Sequence, residues 1–208
     1  MKKSSLIAAL FVLMAFTSCV KTEYHYVDDS LKVWFVDRDK ADFQVRDQNG
    51  ITQQFQVFDT VVGMVPGESY FLFVKTDEDL CENINQNGNV SFYQGQALSL
   101  SVTNYYGTGH SFSLCFYDVN YAVEVEDGFT CTRAFDNKDY AGRNIPCTLE
   151  MLDSYEVNGK VYSDVMHFKI TDWDAISTRN TFPSELYYAK HYGPIEYELG
   201  GTITVKRL

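Results

Sequence analysis

Along most of this chain apolar side chains recur at every second position, the period of a strand with one buried face. LSLSVTNY (98–105) sets Leu98, Leu100 and Val102 against Ser99, Ser101 and Thr103, and SFSLCFYDV (111–119) does the same with Phe112, Leu114 and Phe116. The intervening NYYGTGH holds Gly107 and Gly109, so the two runs predict a hairpin. VWFV (33–36), FQV (43–45 and 55–57) and SYFLFVKT (69–76) read as further strands, rich in the aromatic and β-branched residues that suit a pleated surface. Asn49-Gly50, Asn158-Gly159 and Gly200-Gly201 each separate two such runs, and these dipeptides tolerate the positive φ of tight hairpin turns. No long helix is expected in the body of the chain. DWDAISTRN (172–180), with Asp172 as a cap and Pro183 beyond it, predicts one helical turn at most. The pattern is that of an all-β domain built from consecutive antiparallel hairpins.

The N-terminus departs from this pattern. Lys2 and Lys3 precede an apolar run from Leu6 to Phe16, which gives way to Thr17 and Ser18 directly before Cys19. A bilayer-spanning helix needs about 20 apolar residues, and this run has roughly half that, so it reads as a secretory signal. The stretch Phe16-Thr17-Ser18-Cys19 resembles the lipobox of bacterial lipoproteins, with phenylalanine where leucine is usual. That resemblance implies removal of residues 1–18, a diacylglyceryl group on the Cys19 thiol and attachment by fatty-acyl chains such as palmitate. The polar segment VKTEYHYVDDS then makes residues 19–30 a lipidated tether, and residues 31–208 a single β-rich domain.

The C-terminal third carries a second resemblance. YEVNGKVYSDVMHFKI (155–170), LYYAKHYGPIEYEL (186–199) and TITVKRL (202–208) are similar to the closing strands of uncharacterised lipoproteins of Bacteroides-type bacteria. The resemblance implies a single antiparallel curved sheet or half-barrel, whose concave side would shelter an apolar ligand; a two-sheet β-sandwich is the alternative. Gly193 permits a bulge where the sheet bends, and Pro194 favours an edge or a bulge.

Charge narrows the class of partner. The formal net charge is −11, and loss of residues 1–18 removes two lysines and no acid. This excess argues against nucleic acid, which demands clustered Lys and Arg. The acids fall in short groups, Asp28-Asp29, Asp77-Glu78-Asp79 and Glu124 to Asp127, and none follows the alternation of a calcium loop. With Cys19 assigned to lipid, Cys81, Cys115, Cys131 and Cys147 remain. No C-x-x-C pair suggests zinc, and an exported compartment permits disulfides; Cys131 with Cys147 and Cys81 with Cys115 is the preferred pairing, with buried thiols as the alternative.

Candidate chemistry is sparse. His25, His110, His167 and His191 are far apart, although His167 and His191 would approach if their strands paired, with Asp164 or Asp172 beside them. Asp172 and Asp174 flank Trp173 in one short loop, whereas glycosidase acids usually stand on different elements about 5 to 9.5 Å apart. There is no G-x-S-x-G elbow and no phosphate-cradling glycine loop. No catalytic residue, metal ligand or cofactor is therefore assigned. The suggestive excess is aromatic, with 15 Tyr and 15 Phe. Tyr105, Tyr106, Tyr187 and Tyr188 are the chief binding candidates, with Tyr117 and Tyr121 beside them, because a strand-edge tyrosine offers a flat face and a hydroxyl. The expectation is an outer-membrane lipoprotein, facing either the periplasm or the outside, that binds a glycan, lipid or protein without catalysis. An exported hydrolase of glycan or peptide is the competing expectation.

Overall fold

The computed structural model describes residues 21–71, 74–91, 93, 96–104, 109–126, 128–136, 144–172 and 182–208. In chain order they form β1 (Lys21–His25), a one-turn helix α1 (Asp29–Lys32), β2 (Asp42–Asp47), β3 (Thr52–Val57), β4 (Val61–Phe71), β5 (Val74–Val90), β6 (Leu98–Asn104) and β7 (His110–Phe116). Next come β8 (Val119–Val123), β9 (Arg133–Asp136), β10 (Asn144–Val157), β11 (Lys160–Ile170), β12 (Pro183–Ala189), β13 (Gly193–Leu199) and β14 (Ile203–Arg207). The protein is nearly all-β, as the alternation predicts, and the strands join in one large sheet that is not a regular barrel. The sheet is mixed, because β1 runs parallel to β5.

The pairing runs β5-β3-β2-β14-β13-β12-β11-β10-β9-β8-β7-β6, and β6 pairs with β5 in turn, so the circuit returns to its start. Three of its hairpins turn where the sequence places them: Gly50 has φ +84°, Asn158 and Gly159 have +51° and +78°, and Gly200 and Gly201 have +61° and +66°. A further tight turn joins β7 to β8 through Tyr117 and Asp118, both at positive φ. Tyr117 holds that conformation because its ring is buried edge-on against Phe116 and its hydroxyl lies 3.3 Å from that of Tyr197. Gly193 opens β13 at φ +77°, where a Cβ would stand 2.6 Å from Val36. The pairing of β12 with β13 shifts register between Tyr187 and Tyr188, within the predicted bend.

The inside of this sheet is filled by side chains. Phe55 stacks on Phe43 and on Phe116, Phe116 meets Tyr197 edge-on at 4.9 Å, and Tyr121 packs on Phe168 at 4.7 Å. The concave face expected to shelter an apolar ligand is thus a packed aromatic core. The segment after β1 adds to it: Val27, Leu31, Trp34, Phe35 and Val36 are all buried. VWFV (33–36), which its composition predicts as a strand, is not one. Its four consecutive apolar residues have no polar face to present, and its backbone is satisfied by side chains and a turn instead of a ladder. The buried Gln86 amide accepts from the Val36 N–H at 2.7 Å and donates to the Val36 carbonyl at 2.9 Å. The Tyr188 hydroxyl donates to the Trp34 carbonyl at 3.0 Å, and the His191 N–H to that of Val33.

A buried cation closes the C-terminal strand. Arg207 lies over the Phe43 ring at 3.6 Å and donates to the carbonyls of Tyr192 and Lys40. Burial lowers its pKa to about 10, which leaves it charged at neutral pH.

Candidate functional site

Two strands stand outside the circuit, and both lie on β5. The first half of this 17-residue strand carries β4 along one edge and β1 along the other, while its second half carries β3 and β6. The result is a three-stranded flap, β1-β5-β4. Among the described residues β4 has no ladder partner on its other edge, and Pro66 within it is tolerated because an edge strand need not donate every N–H.

Exposed apolar side chains concentrate on this flap. Val61 is 65% exposed and Val62 60%, with Met64 and Val65 also open to solvent and Phe58 exposed in the loop that leads into β4. Tyr24 and Tyr26 are exposed on the β1 side, their rings stacked 6.4 Å apart. Among the described residues the other exposed large apolar side chains, Ile51, Met151, Val161 and Leu208, are scattered. Register puts Tyr24, Leu80 and Pro66 in one row across the three strands, so alternation carries Val62 and Met64 onto the Tyr24 face. Val61 and Val65 share the opposite face with His25, Asp79 and Cys81. Exposed apolar side chains gathered on both faces of one flap mark an interaction surface more often than an accident of composition.

The face bearing His25 also gathers ionisable groups. Glu23 lies opposite Asp79 and His25 opposite Cys81 in the parallel ladder. Glu23, His25 and Asp79 each bring one donor atom within 4.8 Å of the others, and His25 Nε2 is 3.4 Å from Asp79 Oδ1. The segment expected as tether therefore contributes a strand and two of the three residues of this cluster. Its sequence signal is the i, i+2 spacing of Glu23 and His25 within the polar stretch expected as a lipidated tether.

The remaining histidines do not come together. His110 Nε2 accepts the Asp28 N–H at 3.2 Å. His167 stacks on Tyr187 and lies 3.5 Å from Glu185 and 3.9 Å from Glu150, ion-pair distances too long for hydrogen bonds. His191 sits in the β12–β13 turn with Nδ1 3.0 Å from Asp37, so the expected approach of His167 to His191 is replaced by separate carboxylate partners.

The tyrosine candidates divide by burial. Tyr188, Tyr117 and Tyr121 are core residues and offer no face to a ligand, because each points inward on its strand or turn. Tyr187 faces outward, yet Tyr155 covers one side of its ring at 4.1 Å and His167 stacks on it at the same distance. Desolvation raises its hydroxyl pKa well above the ordinary tyrosine range. Tyr105 and Tyr106 lie outside the described residues, as do Cys19 and Asp174.

Among the cysteines, Cys131 and Cys147 are buried with their sulfurs 3.2 Å apart. The shared S–H···S contact lowers the pKa of Cys131 and, with burial, raises that of Cys147. The pairing of Cys81 with Cys115 is overturned by register. Cys115 lies opposite Ser99, and Ser99 opposite Asn87, six residues along β5 from Cys81. That is about 20 Å at the rise of a strand, against roughly 7 Å at most between bridged Cα atoms.

No protein-family model, curated protein or solved structure matches the chain.

Proposed function

We propose that this chain is an exported envelope lipoprotein, anchored in the outer membrane through Cys19, whose folded body is a non-catalytic module that binds a protein partner. The partner adds an extended segment to the open edge of β4. The observation that carries this reading is the concentration of exposed Val, Met and Tyr side chains on a flap whose outer strands have no further ladder partner among the described residues. Strand addition supplies backbone hydrogen bonds, and the apolar side chains on the two faces of the flap meet alternate side chains of the added strand. Glu23, Asp79 and the buried Glu82 make the flap acidic, so a segment mixing basic and apolar side chains complements it.

The filled interior favours this partner over a lipid cargo. The hydrolase alternative has less support. The polar contacts the histidines make are with carboxylates or a backbone N–H, not with a nucleophile that a base would activate.

A photo-crosslinking residue placed at Val62 or Met64 in intact envelopes tests the reading. A discrete protein adduct at both positions, absent at the exposed but isolated Val161 and lost with Val65→Lys, is the expected result. Adducts only to phospholipid, only to a second copy of the chain, or equally at Val161 would overturn it.

A further inference from the structure

We propose that Glu23, His25 and Asp79 form a binding site for a divalent first-row transition-metal ion of the zinc class. The donor set is one imidazole nitrogen and two carboxylates, a combination that suits such ions and ill suits calcium or magnesium, which favour all-oxygen shells. The spacing fits as well. Ligands bound at about 2.0–2.2 Å in a tetrahedron stand roughly 3.4 Å from one another. His25 Nε2 and Asp79 Oδ1 are 3.4 Å apart, long for a good hydrogen bond and matched to an edge of that tetrahedron. The Glu23 donor lies within 4.8 Å of both, a gap that a small side-chain rotation closes.

Backbone pairing presents the three groups. Glu23 and His25, two residues apart, project to one face of β1, and the parallel register sets Asp79 beside them on β5. The His25 and Asp79 side chains are only 16% and 19% exposed, which strengthens their attraction for a cation, while Glu23 lies open to solvent as the entry side. Water fills the fourth position. Cys81, opposite His25 on the same face, is the next donor along the strand. The consequence is mechanical: β1 is held to the fold by a ladder of five residue pairs, and an ion bridging β1 to β5 would fasten the segment that leads from Cys19 to the body.

Calorimetric titration of the purified full chain with zinc chloride tests the site. The expected result is one ion per chain, with binding weakened at least tenfold in both His25→Gln and Asp79→Asn and unchanged in His110→Gln. At a hundredfold excess over Kd the melting temperature should rise by about 5–10 °C in the wild type and not in the two variants. Asp79→Asn and Glu23→Gln keep side-chain shape, so they carry the test if His25→Gln fails to fold. No zinc binding at micromolar concentrations, or binding that survives all three substitutions at the flap, would overturn the proposal.

Discussion

A Cys19→Ser variant expressed in its native envelope is expected to lose all incorporation of radiolabelled palmitate and, once its leader is cleaved, to leave the detergent phase for the aqueous one. The magnitude follows from acyl transfer. Each buried CH₂ contributes about 0.8 kcal/mol, so a single chain holds a protein only marginally and two or more hold it stably. No helix among the described residues is long and apolar enough to cross a bilayer, and the net charge of −11 opposes adsorption to anionic lipid. The label is the cleaner readout, because an uncleaved leader would keep a precursor at the membrane without acylating it. A variant that still takes up palmitate would remove the lipid anchor from the proposed function, while the zinc site and the flap would stand as features of the folded body.

What the chain made legible were its short-range commitments. Asn158-Gly159 and Gly200-Gly201 turn as their chemistry demands, since positive φ at those positions costs a glycine nothing and an asparagine little. Phe112, Leu114 and Phe116 face the core as their alternation requires. What stayed hidden depends on partners distant in sequence. Closure of the circuit through β5 and β6, and through β14 and β2, follows from no local period. Val33 to Val36 reads as a strand until Gln86, 50 residues away, is seen to satisfy the backbone of Val36. Tyr188 and Tyr187, adjacent and alike in sequence, part company because alternation sends one into the core and the other into an outer stack with Tyr155 and His167. The Glu23, His25 and Asp79 cluster needed a parallel pairing between residues more than 50 apart. Tether-like composition concealed it, since VKTEYHYVDDS is polar whether or not it joins a sheet.

Exported as proposed, the protein is expected to carry one disulfide, between Cys131 and Cys147, and to lose about 3 kcal/mol of stability when it is reduced, a fall in melting temperature of about 6–12 °C. Both thiols are buried and their sulfurs stand 3.2 Å apart, close enough to join with little backbone movement. Oxidation joins the two sulfurs and releases two protons and two electrons, the electrons passing to a disulfide-carrying oxidant of the exported compartment. The bridge would close the polar segment between β8 and β10, restricting the unfolded chain more than the folded one. It would also remove two S–H groups from beside Tyr121, whose buried hydroxyl has no hydrogen-bond partner among the described residues. Mass spectrometry of unreduced, alkylated protein should find Cys81 and Cys115 modified and Cys131 and Cys147 protected. Cys147→Ser should melt at the reduced wild-type temperature with or without dithiothreitol. Four alkylated thiols after Cys19 in the exported protein, or a wild-type melting temperature indifferent to reductant, would show that the pair remains reduced and that its contact is only packing.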